Sequence, residues 1–410
     1  MGSTLQGLAP LYSNCTSHRR PCATGIGVRV LASRSIRSAA WPRRNYDAPK
    51  ATCSVPPQGS TPLASGITTR FLAPAEHPRW AALVEQSADG SAYSLPAYLD
   101  ALCAATGGSY RILVAERDHD IVGGIALYEE RGRFGRIISP RLLLYCNGLV
   151  RKPHPTKTPG QENAWHVQTL TAIEQALHAI DAARLRVKSR ASVNDLRMFR
   201  ERWQVQPTYT YVVALDDMAA AWARVDKNLR RLVSRCEAHG LTLAVDGDFD
   251  AFHRLHEATH RRKGAPLYLE REPFRHFYET LRGHGLAHLY HALAPDGRVA
   301  ASQLVLTGHP VTHTVAAATE ADFLNLGATA FLRWKTFEHL AQAGHLANDL
   351  TDAALNPVSA FKAQLGGELQ VNLEFWRRDG LALRAWEQFR RSGAAVKRRL
   401  RSGLRQGASE

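Results

Sequence analysis

The sequence predicts an α+β fold built from two units of one type, each a mixed, mostly antiparallel sheet flanked by helices. Three observations carry that expectation. Stretches with helical or strand periodicity follow one another from Ile67 onward, separated by Gly, Pro, Asn and Asp clusters. One order of elements runs through twice, the second time from about Pro207: leading helices, an antiparallel meander, a helix, then further strand. The composition is that of a globular body, 45% hydrophobic and 8% aromatic, and no apolar run approaches the ~18 residues a membrane span needs.

In the first unit, ITTRFL predicts a strand, and HPRWAALVEQS and LPAYLDALCAATG predict helices. YRILVAER, the turn DHD and IVGGIALYEER predict a β-hairpin, because apolar runs flank a turn signal on both sides. GRIIS and RLLLYCNGLV read as further strands, KPHPTKTPG as a loop, ENAWHVQTLTAIEQALHAIDAA as a helix and RLRVKS as a strand.

In the second unit, YTYVVAL predicts a strand, and Asp216 and Asp217 are candidate caps for the helix after it. Residues 226–240 predict an amphipathic helix. Leu229, Leu232, Val233 and Cys236 form its apolar stripe, and Gly240 stands where helices commonly end. LTLAV is a strand, and helices follow over 249–262 and 272–284. AHLYHALA, the turn PDG, VAASQLVLTG and HPVTHTVAA make a meander. A helix over 325–344, a strand at HLANDL, a short helix at NPVSAFKAQLG, a strand at ELQVNLEFWR and a basic helix complete the pattern.

The formal charge of +15 suggests a nucleic-acid partner until it is located. Residues 1–66 hold seven arginines and Lys50 against Asp47, and residues 381–410 hold seven arginines and Lys397 against Glu387 and Glu410. The ends thus carry +13 of the charge, and the body is not broadly cationic. The expected organisation is a basic leader at 1–66, one domain at 67–205, a second at 206–380 and a basic C-terminal helix and tail at 381–410. The leader composition suits a transit peptide, an over-long start or a disordered arm. Six cysteines show no C-x-x-C spacing; Cys103, Cys146 and Cys236 read as reduced core thiols, which fits a cytoplasmic compartment.

Five motifs in order then point to a family. They are K-N-L-R-R-L-V-S-R-C-E-A-H-G-L (227–241), F-H-R-L-H-E-A-T-H-R-R-K-G (252–264), G-R-V-A-A-S-Q-L-V-L (297–306), L-G-A-T-A-F-L-R-W-K-T-F-E-H-L-A-Q-A-G (326–344), and N-D-L (348–350) with F-K-A-Q-L-G-G-E-L (361–369). Together they resemble the FemAB-like acyltransferases of the GNAT superfamily. The resemblance implies two tandem GNAT-like domains with the active cleft in or near the second. It implies transfer of an acyl or aminoacyl group from acyl-CoA or aminoacyl-tRNA, used as co-substrate with no permanently bound cofactor, to an amine or hydroxyl. The implied acceptor is a phosphate-bearing small molecule or lipid-linked precursor of cell-envelope or polysaccharide metabolism, and tRNA is an implied partner. Two positions depart from the pattern. The pyrophosphate loop keeps one glycine at Leu324–Thr329 and lacks a leading Gln or Arg; Thr312, His313 and Thr314 stand where bridge-forming relatives carry tyrosines.

Candidate residues follow, each with a plainer reading beside it. Lys362 reads as a cation for substrate phosphate or a developing oxyanion, or as a surface lysine beside a buried Phe361. Asp349, at a strand end, reads as a proton acceptor or as a cap of the next turn. Lys227, Arg230 and Arg231 lie opposite the apolar stripe and form a phosphate-binding patch or a solvated face. Arg261 and Arg262 contact an anionic substrate or complement a helix dipole. The N–H groups of Asn325, Gly327 and Thr329 hold a carrier phosphate, or these residues simply cap a helix.

Two other functions are open. His256-Glu257-Ala-Thr-His260 matches the H-E-x-x-H zinc helix of metalloproteases, but no third histidine follows at the extended spacing and two arginines adjoin the second ligand. The expectation is therefore no metal site. The basic ends alternatively suggest a protein that holds nucleic acid or an anionic surface.

Overall fold

The computed structural model describes residues 66–154, 156–390 and 392. The predicted leader, apart from Gly66, and most of the predicted basic tail lie outside the described residues.

The first half comprises β1 (Thr68–Phe71), α1 (His77–Gln86), α2 (Pro96–Thr106), β2 (Ser109–Arg117), β3 (Asp120–Gly132), β4 (Gly135–Ile138), β5 (Leu149–Arg151), α3 (Pro159–Ala179) and β6 (Arg184–Ser189). The second comprises β7 (Gln204–Ala214), α4 (Met218–Arg224), α5 (Lys227–Ala238), β8 (Thr242–Val245), α6 (Phe249–Lys263), α7 (Arg271–Gly283), β9 (Ala287–Leu293), β10 (Val299–Leu306), β11 (Thr312–Thr319), α8 (Ala328–Gln342), β12 (Ala347–Asp349), α9 (Pro357–Ala363) and β13 (Glu368–Trp376). The predicted α+β class holds, and the sheet is mixed but mostly antiparallel.

Local chemistry explains most element ends. The β2–β3 hairpin turns on Asp118 and His119, both at positive φ (51° and 66°), the backbone twist that suits a two-residue hairpin. Asp217 caps α4 by accepting from Ala220 N–H at 2.9 Å, and Asp226 caps α5 by accepting from Asn228 N–H at 2.7 Å. The α5 stripe of Leu229, Val233 and Cys236 is buried as its spacing requires.

Two elements differ from expectation. RLLLYCNGLV is a strand only at its end, in β5. Asn147 fastens the preceding stretch to β6 through side-chain bonds to Arg186 O (3.1 Å) and Lys188 N–H (2.9 Å), so apolar side chains are buried there without a ladder. The helix expected from Asn325 begins at Ala328, because Gly327 lies at φ +97°.

The strands form one continuous path, β1-β2-β3-β4-β6-β13-β7-β12-β11-β10-β9-β8, with β5 against β3. The seam between halves is β6–β13, four antiparallel register pairs from Ser189–Leu373 to Arg186–Trp376. One core is shared: α1 and α2 of the first half meet α6 and α7 of the second through Trp80, Tyr98, Phe252 and Phe277, with Tyr98 edge-on to Phe277 at 5.6 Å. A second core lies under α4, α5 and α8, and a third under α3. Among the described residues no helix is long and apolar enough to cross a membrane.

Candidate active site

The site grows from the one parallel pairing of the second half. β11 and β12 share only Thr312–Asn348 and His313–Asp349. On one face Asn348 is held by Thr312 (2.8 Å) and Thr314 (2.9 Å). On the other, Asp349 accepts from the Thr210 hydroxyl and from Thr351 N–H at 2.7 Å, and lies 3.6 Å from His313 Nδ1. His313 is buried, and neither ring nitrogen has a hydrogen bond. Burial pushes its imidazole down to about 4 against the opposing pull of Asp349, so the ring is neutral at pH 7. Tyr93, from the first half, packs its ring 4.8 Å from that of His313.

Beyond Asp349 the chain turns through Thr351 and Asp352, both at positive φ (50° and 60°), a costly geometry for a β-branched residue. The turn is fixed at several points. Thr351 donates its hydroxyl to Thr314 O at 2.9 Å, and Lys362 Nζ donates to the carbonyls of both Thr351 and Asp352, the latter at 2.9 Å. α9, capped by Asn356 accepting from Ser359 N–H at 2.9 Å, presents the lysine. Burial first, and then the like charge of Arg333, push the Lys362 ammonium down to about 8, against Asp352 and Asp349.

The structure thus brings Asp349 and Lys362 together. It places Lys227, Arg230 and Arg231 along α5 between two landmarks: Asp226 N–H donates to Gln364 O at 2.9 Å just past α9, and Arg235 donates to Leu326 O at 2.8 Å beside the start of α8. None of the three makes an ion pair among the described residues. Asn325 is not a cap; its carbonyl accepts from Arg235. The N-cap of α8 is Gly327, with no side-chain cap, and Thr329 uses its hydroxyl on Thr319 at 2.6 Å. The first-turn N–H groups of a 15-residue helix are therefore left without a side-chain acceptor. Arg261 and Arg262 stand on the exposed last turn of α6, Arg261 paired with Glu257 at 2.9 Å.

The H-E-x-x-H residues do something else. His256 is buried against Phe252, Phe274 and Tyr268; His260 Nδ1 meets Pro266 O at 2.7 Å; Glu257 points outward to Arg261. Burial pushes His256 down to about 3. His256 is part of an aromatic cluster, His260 lies edge-on to Tyr268, and Glu257 faces away toward Arg261. Among the described residues no three His, Cys, Asp or Glu side chains converge as a metal site requires.

Sequence reasoning missed His313, Tyr93 and Arg333. His313 registers in the sequence only as the absence of a tyrosine. The signal for Arg333 was legible: it sits among Phe331, Leu332, Trp334 and Phe337 on a helix apolar nearly all round.

Comparison with known families decides the class: residues 223–363 match the acetyltransferase (GNAT) domain. Residues 223–363 carry a GNAT acetyltransferase domain. No curated protein sequence matches the chain. Among solved structures, this chain is similar to a crystal structure of FemX at 12% identity, covering 75% of this chain and 96% of that one with a TM-score of 0.60. It is also similar to the C-terminal domain of a putative lysylphosphatidylglycerol synthetase from Agrobacterium fabrum (13% identity, 74% and 92% covered, TM-score 0.48). A tandem GNAT protein from the clavulanic acid biosynthesis pathway matches at 16% identity, 76% and 98% covered, TM-score 0.45. The FemX likeness supports the tandem GNAT-like fold across both halves. Within residues 223–363, α5, β11, α8, β12 and α9 carry the candidate site; Thr210 of β7 and Tyr93 of the first half pack on it from outside the match.

Proposed function

We propose that the GNAT domain transfers an acyl or aminoacyl group from acyl-CoA or aminoacyl-tRNA to an amine or hydroxyl of a phosphate-bearing acceptor, at the point where β11 and β12 part. The observation that carries this reading is Lys362, an ammonium held over the Thr351 and Asp352 carbonyls beside Asp349. In such a reaction the acceptor attacks the acyl carbonyl, and the carbonyl oxygen gains charge. The carbon–sulfur or ester carbon–oxygen bond to the carrier then breaks. Lys362 supplies the cation for the oxyanion. Neutral His313 with Asp349 at 3.6 Å supplies the route for the acceptor's proton. The uncapped first turn of α8 at Gly327 and Thr329 suits a carrier phosphate, and Lys227, Arg230, Arg231, Arg261 and Arg262 suit an anionic acceptor or the carrier's backbone.

The test is a donor screen with purified protein, comparing acyl-CoAs with aminoacyl-tRNAs against amine and hydroxyl acceptors. Transfer from one donor class, reduced at least about 100-fold in Lys362→Met, is the expected result. Full turnover in that variant removes Lys362 from the chemistry.

A further inference from the structure

Arg333 is the one Arg or Lys in the buried class among the described residues, at 8% exposure. Its Nε and Nη1 have no hydrogen-bond partner, and no carboxylate lies within ion-pair distance. Elsewhere the protein pairs its inward charges. Arg151 is clamped by Asp89 (2.6 Å), and buried Glu174 receives Arg202 and the Trp203 indole N–H. Arg333 has instead a second cation as its charged neighbour, Lys362, whose ammonium it pushes down.

The placement of Arg333 follows from its helix. One turn before it, Thr329 is tied to Thr319 of β11 at 2.6 Å; one turn after it, Thr336 accepts from Gln303 of β10 at 2.5 Å. Residues at i−4 and i+3 share a helix face, so Arg333 is held on the side of α8 turned to the sheet. Burial lowers its guanidinium to about 10, so it stays charged at pH 7. An unpaired buried charge costs several kcal/mol, and a fold retains one where something else supplies the counter-charge.

We propose that Arg333, buried and unpaired on the sheet side of α8, is a binding site for an oxyanion group of the substrate, a phosphate or a carboxylate. The guanidinium takes two of its oxygens in a fork. The proposal rests on the reading that Lys362 lies in the transfer site. It adds that the site is selective for a ligand with an anion close to the reacting group.

The test needs no turnover. Thermal unfolding of the full chain is followed while pyrophosphate or malonate is added at constant ionic strength, with sodium chloride as reference. The wild type gains Tm with one of the two oxyanions and not with chloride; the pyrophosphate arm reports phosphate, the malonate arm carboxylate. Arg333→Met begins at a higher Tm than wild type, because it no longer buries an unpaired charge, and needs at least 10-fold more oxyanion for the same shift. Arg333→Lys, which keeps the charge without the fork, lies between. A wild type indifferent to both oxyanions overturns the proposal, as does Arg333→Lys or Arg333→Met with an unchanged titration. A negative donor screen beside a positive titration counts against the transfer reading alone.

Discussion

Lys362 offers a prediction that reads burial and charge without a substrate. Its pKa of about 8 lies below the ordinary 10.5. Between those values an unfolded chain holds a proton that the folded protein has released. Stability therefore rises with pH through this window, and below about 8 the folded state bears the whole cost of the buried ammonium. At roughly 1.36 kcal/mol per pH unit, that cost is at most about 3 kcal/mol, reduced by whatever water reaches the ammonium. Lys362→Met has no such group. The urea-unfolding free energy of wild type minus that of Lys362→Met should climb by about 1–3 kcal/mol from pH 7.5 to pH 10.5. At pH 7 the variant should sit within about 1–2 kcal/mol of wild type, because the relieved cation offsets the donor lost by the Thr351 and Asp352 carbonyls. Parallel stability curves for the two proteins across this range would refute the burial and the reasoning built on it.

Asp349→Asn keeps the shape that meets Thr210 and Thr351 but removes the charge near His313; transfer should fall about 10²- to 10⁴-fold while urea unfolding moves by about 2 kcal/mol or less. Gly327→Ala should lower stability by about 2 kcal/mol in the same assay, because Gly327 lies at φ +97° and an added Cβ would stand 2.7 Å from that of Leu232. His256→Ala should cost about 2–4 kcal/mol of unfolding free energy through lost aromatic packing. Glu257→Gln, at an exposed ion pair, should change stability by less than about 0.5 kcal/mol and leave turnover unchanged; a large loss of turnover there would revive the hydrolase reading.

The family motifs were legible because they report local necessities. The α5 stripe, the hairpin turn at Asp118 and His119, and the Asp217 cap are each set by a few adjacent residues. Lys362 and Asp349 stood out as candidates for the same reason, as members of short motifs. His313 and Tyr93 were not, since they lie 220 residues apart and meet only when the halves share a core. RLLLYCNGLV misled because burial without pairing has the same composition as a buried strand; what distinguishes it is Asn147 reaching across to β6. HEATH is ambiguous in another way. A metal motif and an aromatic stack both ask for rings four residues apart, and only Phe274 and Tyr268, supplied from the following segment, show which one is built.

The recognised GNAT domain stops at residue 363, yet β13, the strand that binds the halves, runs Glu368–Trp376. A fragment cut at the limits of the match, 223–363, would drop β7 (Gln204–Ala214) as well as β13 and leave β12 open along its three register pairs with β7, a template for self-association. Extending it to 204–376 would restore β7 and β13 but move the exposed edge to β13, now facing the empty place of β6. The matched segment alone therefore omits strands with which its own sheet pairs. The second half's outermost strand is finished by the first half, which also supplies Tyr93 to the wall of the site. The two halves are best inherited, expressed and mutated together.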